Sequence, residues 1–154
     1  MSLTEDMEIL RSIPLFAKIE PAKLKLLAFT SERLSFMEGD EVCRQGDSGD
    51  AAYIILKGEA DVSVATDNGP LIVATLGKND IIGEIAVLCD VPRTATVTAK
   101  ADLETLKVAK DNFFQLVTQF PQIGIQVMHE LAERLHQTTQ DLTRARAQLN
   151  APNP

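Results

Sequence analysis

Between Ser31 and Ala109 short apolar runs alternate with clusters of turn-forming residues, and no other feature of this chain narrows its fold so far. Glu38-Gly39-Asp40 and the run from Gln45 to Asp50 are such clusters: glycine supplies positive φ, and aspartate and serine bond their own backbone. Ala52-Tyr53-Ile54-Ile55-Leu56 is a compact apolar run closed by Lys57-Gly58. Val62 and Val64 then alternate with Asp61 and Ser63, the period of a strand with one face buried. Asp67-Asn68-Gly69-Pro70 reverses the chain before a strand from Leu71 to Leu76. Further strands are expected from Thr94 to Ala99 and from Leu103 to Val108. Strands this short, spaced this way, fold as an antiparallel sandwich or jelly roll.

Both flanks follow the helical period instead. Leu3, Met7 and Leu10 share a face, Pro14 interrupts, and Glu20-Pro21 restarts a helix through Leu24, Leu27 and Ala28. After Ala109, Phe120-Pro121 divides a short helix from a long one. In the long helix Met128, Leu131, Leu135, Thr138, Leu142, Ala145 and Leu149 recur three and four apart, a seam weakened by Thr138 and Ala145. Such a seam can pack on its own roll. It also runs past the end of any roll of this size, which favours a partner helix and hence a parallel homodimer. The 154 residues make one domain with a real core. Its parts are an N-terminal helical segment over 1–30, a β-roll over 31–109, the two helices over 110–149 and a proline-rich tail over 150–154.

The chemistry concentrates in Gly83-Glu84-Ile85-Ala86-Val87-Leu88-Cys89-Asp90-Val91-Pro92-Arg93-Thr94-Ala95-Thr96-Val97. Gly83 lets the backbone approach a ligand with no Cβ in the way. The unpaired N–H groups of a helix start attract anions. Arg93 supplies a planar donor fork that holds two phosphate oxygens at once. Glu84 accepts a hydrogen bond from a hydroxyl but repels phosphate, so it belongs on a sugar if it is a ligand and not merely a helix cap. Either dipeptide alone, Gly-Glu or Pro-Arg, is common in ordinary turns. Arg93 nine positions after Glu84, followed at once by a Thr-Ala-Thr-Val strand, is far more specific.

This stretch closely resembles the phosphate-binding cassette of the cyclic nucleotide-binding domain family, and the resemblance extends over roughly Leu10 to Leu149. It implies a mainly β fold with flanking helices: an antiparallel β-roll or jelly roll (a double-stranded β-helix) with N-terminal helices and a long C-terminal helix. It also implies a cassette over 83–97 in which Glu84 binds the ribose 2′-OH and Arg93 the cyclic phosphate, with Gly83, Ile85, Ala86, Thr94 and Ala95 around them. Gly39, Gly46, Gly58 and Gly83 are family-like. Asn79 departs from a frequent glycine and Ile82 from a frequent phenylalanine; Asn tolerates positive φ, so the first change is mild.

The base is less directly written. Thr94 resembles the threonine with which cGMP-dependent kinases contact guanine, although bacterial cAMP binders also carry a small hydroxyl there. Glu133-Arg134-Leu135-His136-Gln137-Thr138-Thr139 resembles the helix of catabolite activator proteins that presents two hydroxyl residues to adenine, one to its own subunit's nucleotide and one to the other's. The resemblance thus implies Thr138 and Thr139 as base readers, Arg134 as an ancillary contact, and cAMP in preference to cGMP. The other readings are a cGMP sensor and a domain that dimerises without binding nucleotide.

Composition excludes other classes. A net charge of −7, with scattered basic residues, argues against direct nucleic-acid binding. No apolar run approaches the ~18 residues of a membrane span. The start lacks the basic-then-apolar pattern of a secretory signal, and Cys43 and Cys89 form no disulfide framework, so a reducing, cytoplasmic setting is expected. A cupin-like metal enzyme needs clustered histidines on its strands. Here His129 and His136 both fall on the long helix, about 10.5 Å apart at the helical rise, so no metal is expected, and with no legible Ser-His-Asp or Cys-His arrangement no catalytic residue is expected either. Nor is any cofactor, since a sensor needs only its ligand.

Overall fold

The computed structural model describes residues 3–13, 16–17 and 19–150, apart from the side chains of Glu84, Ile85, Val127 and Glu130. The interruption expected at Pro14 and most of the tail expected over 150–154 lie outside the described residues. Helices α1 (Leu3–Arg11) and α2 (Pro21–Thr30) precede the strands. Pro21 opens α2, where its missing N–H and fixed φ cost nothing. Strands β1 (Glu32–Phe36), β2 (Glu41–Cys43), β3 (Ala51–Lys57), β4 (Ala60–Thr66), β5 (Gly69–Leu76), β6 (Ile81–Ile82), β7 (Thr96–Ala99) and β8 (Leu103–Ala109) follow. Helix α3 (Glu84–Cys89) lies between β6 and β7, and α4 (Lys110–Gln119) and α5 (Pro121–Leu149) close the chain.

The strands form two four-stranded antiparallel sheets, ordered β1-β8-β3-β6 and β2-β7-β4-β5. β3 explains why one segment read as a continuous apolar run. Its alternate residues serve two cores: Ala51, Tyr53 and Ile55 point into the roll with Val42, Val97 and Leu103, while Ile54 and Leu56 meet the helices through Leu10, Leu24, Leu27, Phe113 and Leu116. A strand buried on both faces loses its polar alternation. Thr105 on β8 is fully buried, and its hydroxyl donates to the Leu34 carbonyl at 3.0 Å, which offsets the cost of its desolvation. Asp6 of α1 and Arg33 of β1 form an ion pair that ties the first helix to the roll.

Three details differ from the sequence reading. The strand expected from Thr94 begins at Thr96, because the Arg93 N–H and carbonyl are bonded to Asp47 and Gly46 and hold the approach to β7 outside the sheet ladder. The turn at 67–70 is tighter than expected, since Gly69 (φ +102) and Pro70 already belong to β5. The alternation over 61–64 yields no in–out pattern: all four residues are half-buried, because β4 lies between β5 and β7 with one face toward an open cavity.

Candidate functional site

The site starts from a change of direction. β6 ends at Ile82, and Gly83, at φ +82 and ψ +18, turns the chain into α3. A Cβ at Gly83 would overlap Nη1 of Arg93, so the position requires glycine for its backbone angle and for space. The overlap with Arg93 is a constraint from inside the protein, distinct from the ligand approach inferred from the sequence. α3 is capped after Cys89 by Asp90, itself left-handed at φ +53, whose carboxylate pairs with Lys110 at the start of α4. That cation holds the exposed Asp90 carboxyl below its usual range.

The chain then reaches Arg93, which is only 5% exposed. Its backbone is clasped by the β2–β3 loop: Arg93 N–H donates to the Asp47 carbonyl at 2.8 Å, and Gly46 N–H donates to the Arg93 carbonyl at 2.9 Å. In the guanidinium, Nη2 donates to the Ala51 carbonyl at 2.6 Å and Nη1 to that of Gly83 at 3.3 Å. Among the described side chains, the carboxylate that reaches it is that of Asp50, at 3.8 Å and with its own side chain 79% exposed. The guanidinium carbon also lies 6.0 Å from the centre of the Tyr53 ring. Gly49 of the same loop sits directly against Ala86 of α3, leaving no room for a Cβ.

Arg93 opens onto a cavity of about 430 Å³. The cassette contributes Gly83, Ala86, Thr94 and Ala95 to its wall, β4 and β5 contribute Val62, Ala74 and Leu76, and α5 contributes Arg134. An apolar wall with a few convergent polar groups is the usual character of a small-molecule site. Cys43 faces the same space. Burial pushes its thiol up, against the pull of Arg93, so it stays protonated and packs as a small apolar group. The structure therefore brings together Gly83, Ala86, Arg93, Thr94, Ala95 and Arg134. The backbone of Glu84 and Ile85 forms the first turn of α3, and their side chains lie outside the described set. Thr138 and Thr139 are not brought to this cavity: both lie on the exposed half of α5, beyond Arg134. Sequence reasoning missed Asp50, Ala51 and Tyr53, because a carbonyl that grips a side chain leaves no mark in residue type.

The family model for the cyclic nucleotide-binding domain matches residues 33–120, more than half of the chain and all of this wall except Arg134. The chain belongs to the cyclic nucleotide-binding domain family. Among relatives of this domain, a cAMP-dependent protein kinase regulatory subunit from Blastocladiella emersonii is 38% identical over 109 residues, 70% of this chain and 27% of its own length. A CRP-like cAMP-activated global transcriptional regulator from Mycobacterium tuberculosis is 27% identical over 136 residues, 88% of this chain and 61% of its own. The catabolite activator protein of Thermus thermophilus superposes with a TM-score of 0.77 at 26% identity, covering 86% of this chain and 62% of that one. The chain thus spans about a quarter of the kinase subunit and three-fifths of the transcriptional regulator. These relatives are regulators, and the β-roll with helices at both ends is common to the family fold. Among the described residues no helix is long and apolar enough to cross a membrane.

Proposed function

We propose that this domain binds a 3′,5′-cyclic purine nucleotide, cAMP in preference to cGMP, and relays its occupancy through α5 to an effector. The observation that carries the reading is Arg93: a guanidinium withdrawn from water, oriented by two carbonyls and set in the wall of a largely apolar cavity. A buried cation is costly unless an anion meets it, and a cyclic phosphate supplies one with the bidentate geometry the fork prefers. Glu84, first residue of the cassette helix, takes the ribose 2′-OH, with Thr94 and Ala95 beside the phosphate and Gly83, Ile85 and Ala86 shaping the first turn. The relatives named for cAMP favour the adenine nucleotide.

The reading extends to a parallel homodimer through α5. Met128, Leu135, Leu142 and Leu149 are 62%, 67%, 54% and 85% exposed, so most of the seam is uncovered by its own roll. Thr138 and Thr139 then read the base at the dimer axis, with Arg134 as the contact from the cavity side. The effector is another protein that α5 contacts, or a DNA-binding domain, kinase or channel of the same protein, and the two free cysteines suit a reducing cytoplasm.

Calorimetry with cAMP tests the assignment. Arg93→Ala is expected to weaken binding by about 2–5 kcal/mol, the range for truncating one partner of a buried charge pair. Affinity within twofold of the parent would remove Arg93 from the phosphate. The 2′-deoxy analogue of cAMP isolates Glu84 because it deletes only the hydroxyl, and equal binding would make the glutamate a helix cap.

A further inference from the structure

We propose that Tyr53 is a positioning residue for Arg93: its ring face holds the guanidinium in the cavity wall without neutralising it. This rests on the assignment of Arg93 to the phosphate. Tyr53 is the only tyrosine of the chain and is 8% exposed on β3. β3 offers Arg93 two supports from neighbouring positions on one face, the Ala51 carbonyl at 2.6 Å from Nη2 and the Tyr53 ring, centred 6.0 Å from the guanidinium carbon.

The ring is itself fixed. Phe36 packs against it edge to face, with ring centres 6.2 Å apart and planes at 79°. In the sheet Tyr53 stands between Ile82 of β6 and Lys107 of β8. Ile82 directly precedes Gly83, whose carbonyl accepts the other guanidinium bond. The pairing of β3 with β6 therefore places all three supports at once.

The choice of an aromatic face has a physical reason. A ring quadrupole attracts a cation while carrying no formal charge. A carboxylate at the same place would orient Arg93 equally well, but it would also neutralise the arginine and repel an incoming phosphate. Two carbonyls and a ring orient the fork and leave its charge to the ligand. Among the described side chains Asp50 is the carboxylate that pairs with Arg93, and it does so from solvent, beyond hydrogen-bond distance; Asp80, on the same cavity wall, accepts from the Gly77 N–H.

The test is a double-mutant cycle on the full chain, with cAMP affinity as readout and thermal unfolding as the check on folding. Tyr53→Leu is expected to weaken cAMP binding about fivefold to thirtyfold, the span between an exposed and a desolvated cation–π contact. Tyr53→Phe, which keeps the face, is expected to stay within twofold. In an Arg93→Gln background the leucine substitution is expected to cost nothing further, because a group acting through Arg93 has nothing left to act on. A second measurement needs no ligand: the Arg93 Nε–H resonance should move in Tyr53→Leu and hold in Tyr53→Phe. A parent that binds cAMP while the leucine loss is equal in both backgrounds, or an Arg93 resonance that does not move, overturns this proposal alone. A parent that binds no cyclic nucleotide overturns the functional reading and this proposal together.

Discussion

Asn79 is the residue whose backbone and side chain disagree with its surroundings. Its φ is +74, and its Oδ1 is buried with no hydrogen-bond partner. Asparagine tolerates the left-handed region better than most residues but still less well than glycine, and a buried unpaired carbonyl loses its hydration without return. Against this, glycine adds freedom to the unfolded chain. The balance favours Asn79→Gly by about 1 kcal/mol, read as a rise in the urea midpoint at unchanged slope. Gly83 presents the opposite case. Gly83→Ala is expected to lose about 1–2 kcal/mol of stability from the left-handed backbone alone. It should also lose cAMP affinity, because the new methyl occupies the place of Arg93 Nη1. Chemical denaturation and calorimetry on the same variant separate the two losses; retained affinity would mean that Arg93 finds another route to the phosphate.

Among the elements, α3 is held at both ends by groups remote in sequence. Its start abuts the β2–β3 loop through Ala86 and Gly49, and its end is tied to α4 through Asp90 and Lys110. In the folded chain the Asp90 carboxyl titrates below its ordinary value, so the pair stabilises above the unfolded pKa and that contribution is lost as pH falls through the folded one. In Lys110→Ala the Asp90 carboxyl should return to the usual aspartate range, measurable by its carbon resonance across an acid titration. An unchanged midpoint would mean that Lys110 is not the cation that lowers it. The short helix and its turn were legible in Gly83-Glu84 and Val91-Pro92. The loop that clasps Arg93 was legible only as a turn, since its bonds run from backbone to backbone and any residue supplies those.

At the scale of the molecule, α5 is a helix of 29 residues whose last two-thirds are exposed. A ligand shifts a conformational equilibrium only by its differential affinity for the two states. Contacts from Arg134 and Thr138, and from Thr139 across a dimer, would give cAMP such a preference for one position of α5. Hydrogen exchange over 136–149 is then expected to slow on cAMP addition, together with the cassette. Protection confined to 83–97 would separate binding from this relay. If the chain pairs through α5 as proposed, the parent should sediment as a dimer and Leu135→Ser with Leu142→Ser as a monomer, since these two exposed leucines supply most of the mid-seam apolar surface. A dimer that persists would place the interface elsewhere.

The sequence alone determined the β-roll between helices, the place of the cassette and the candidacy of Arg93, because turn residues, strand period and a charged group beside a glycine are local properties. Where Arg93 points, and what holds it, was decided only by tertiary structure. The Ala51 carbonyl, the Tyr53 ring and the Asp47 clasp come from a loop and strand some forty residues earlier in the chain. Their meeting depends on sheet register, set by the packing of both cores at once. Nor could spacing on a helix show that Thr138 and Thr139 stand clear of the cavity that Arg134 lines, because that depends on how far along α5 its packing on the roll extends, through Ile123 and Leu131 to Arg134.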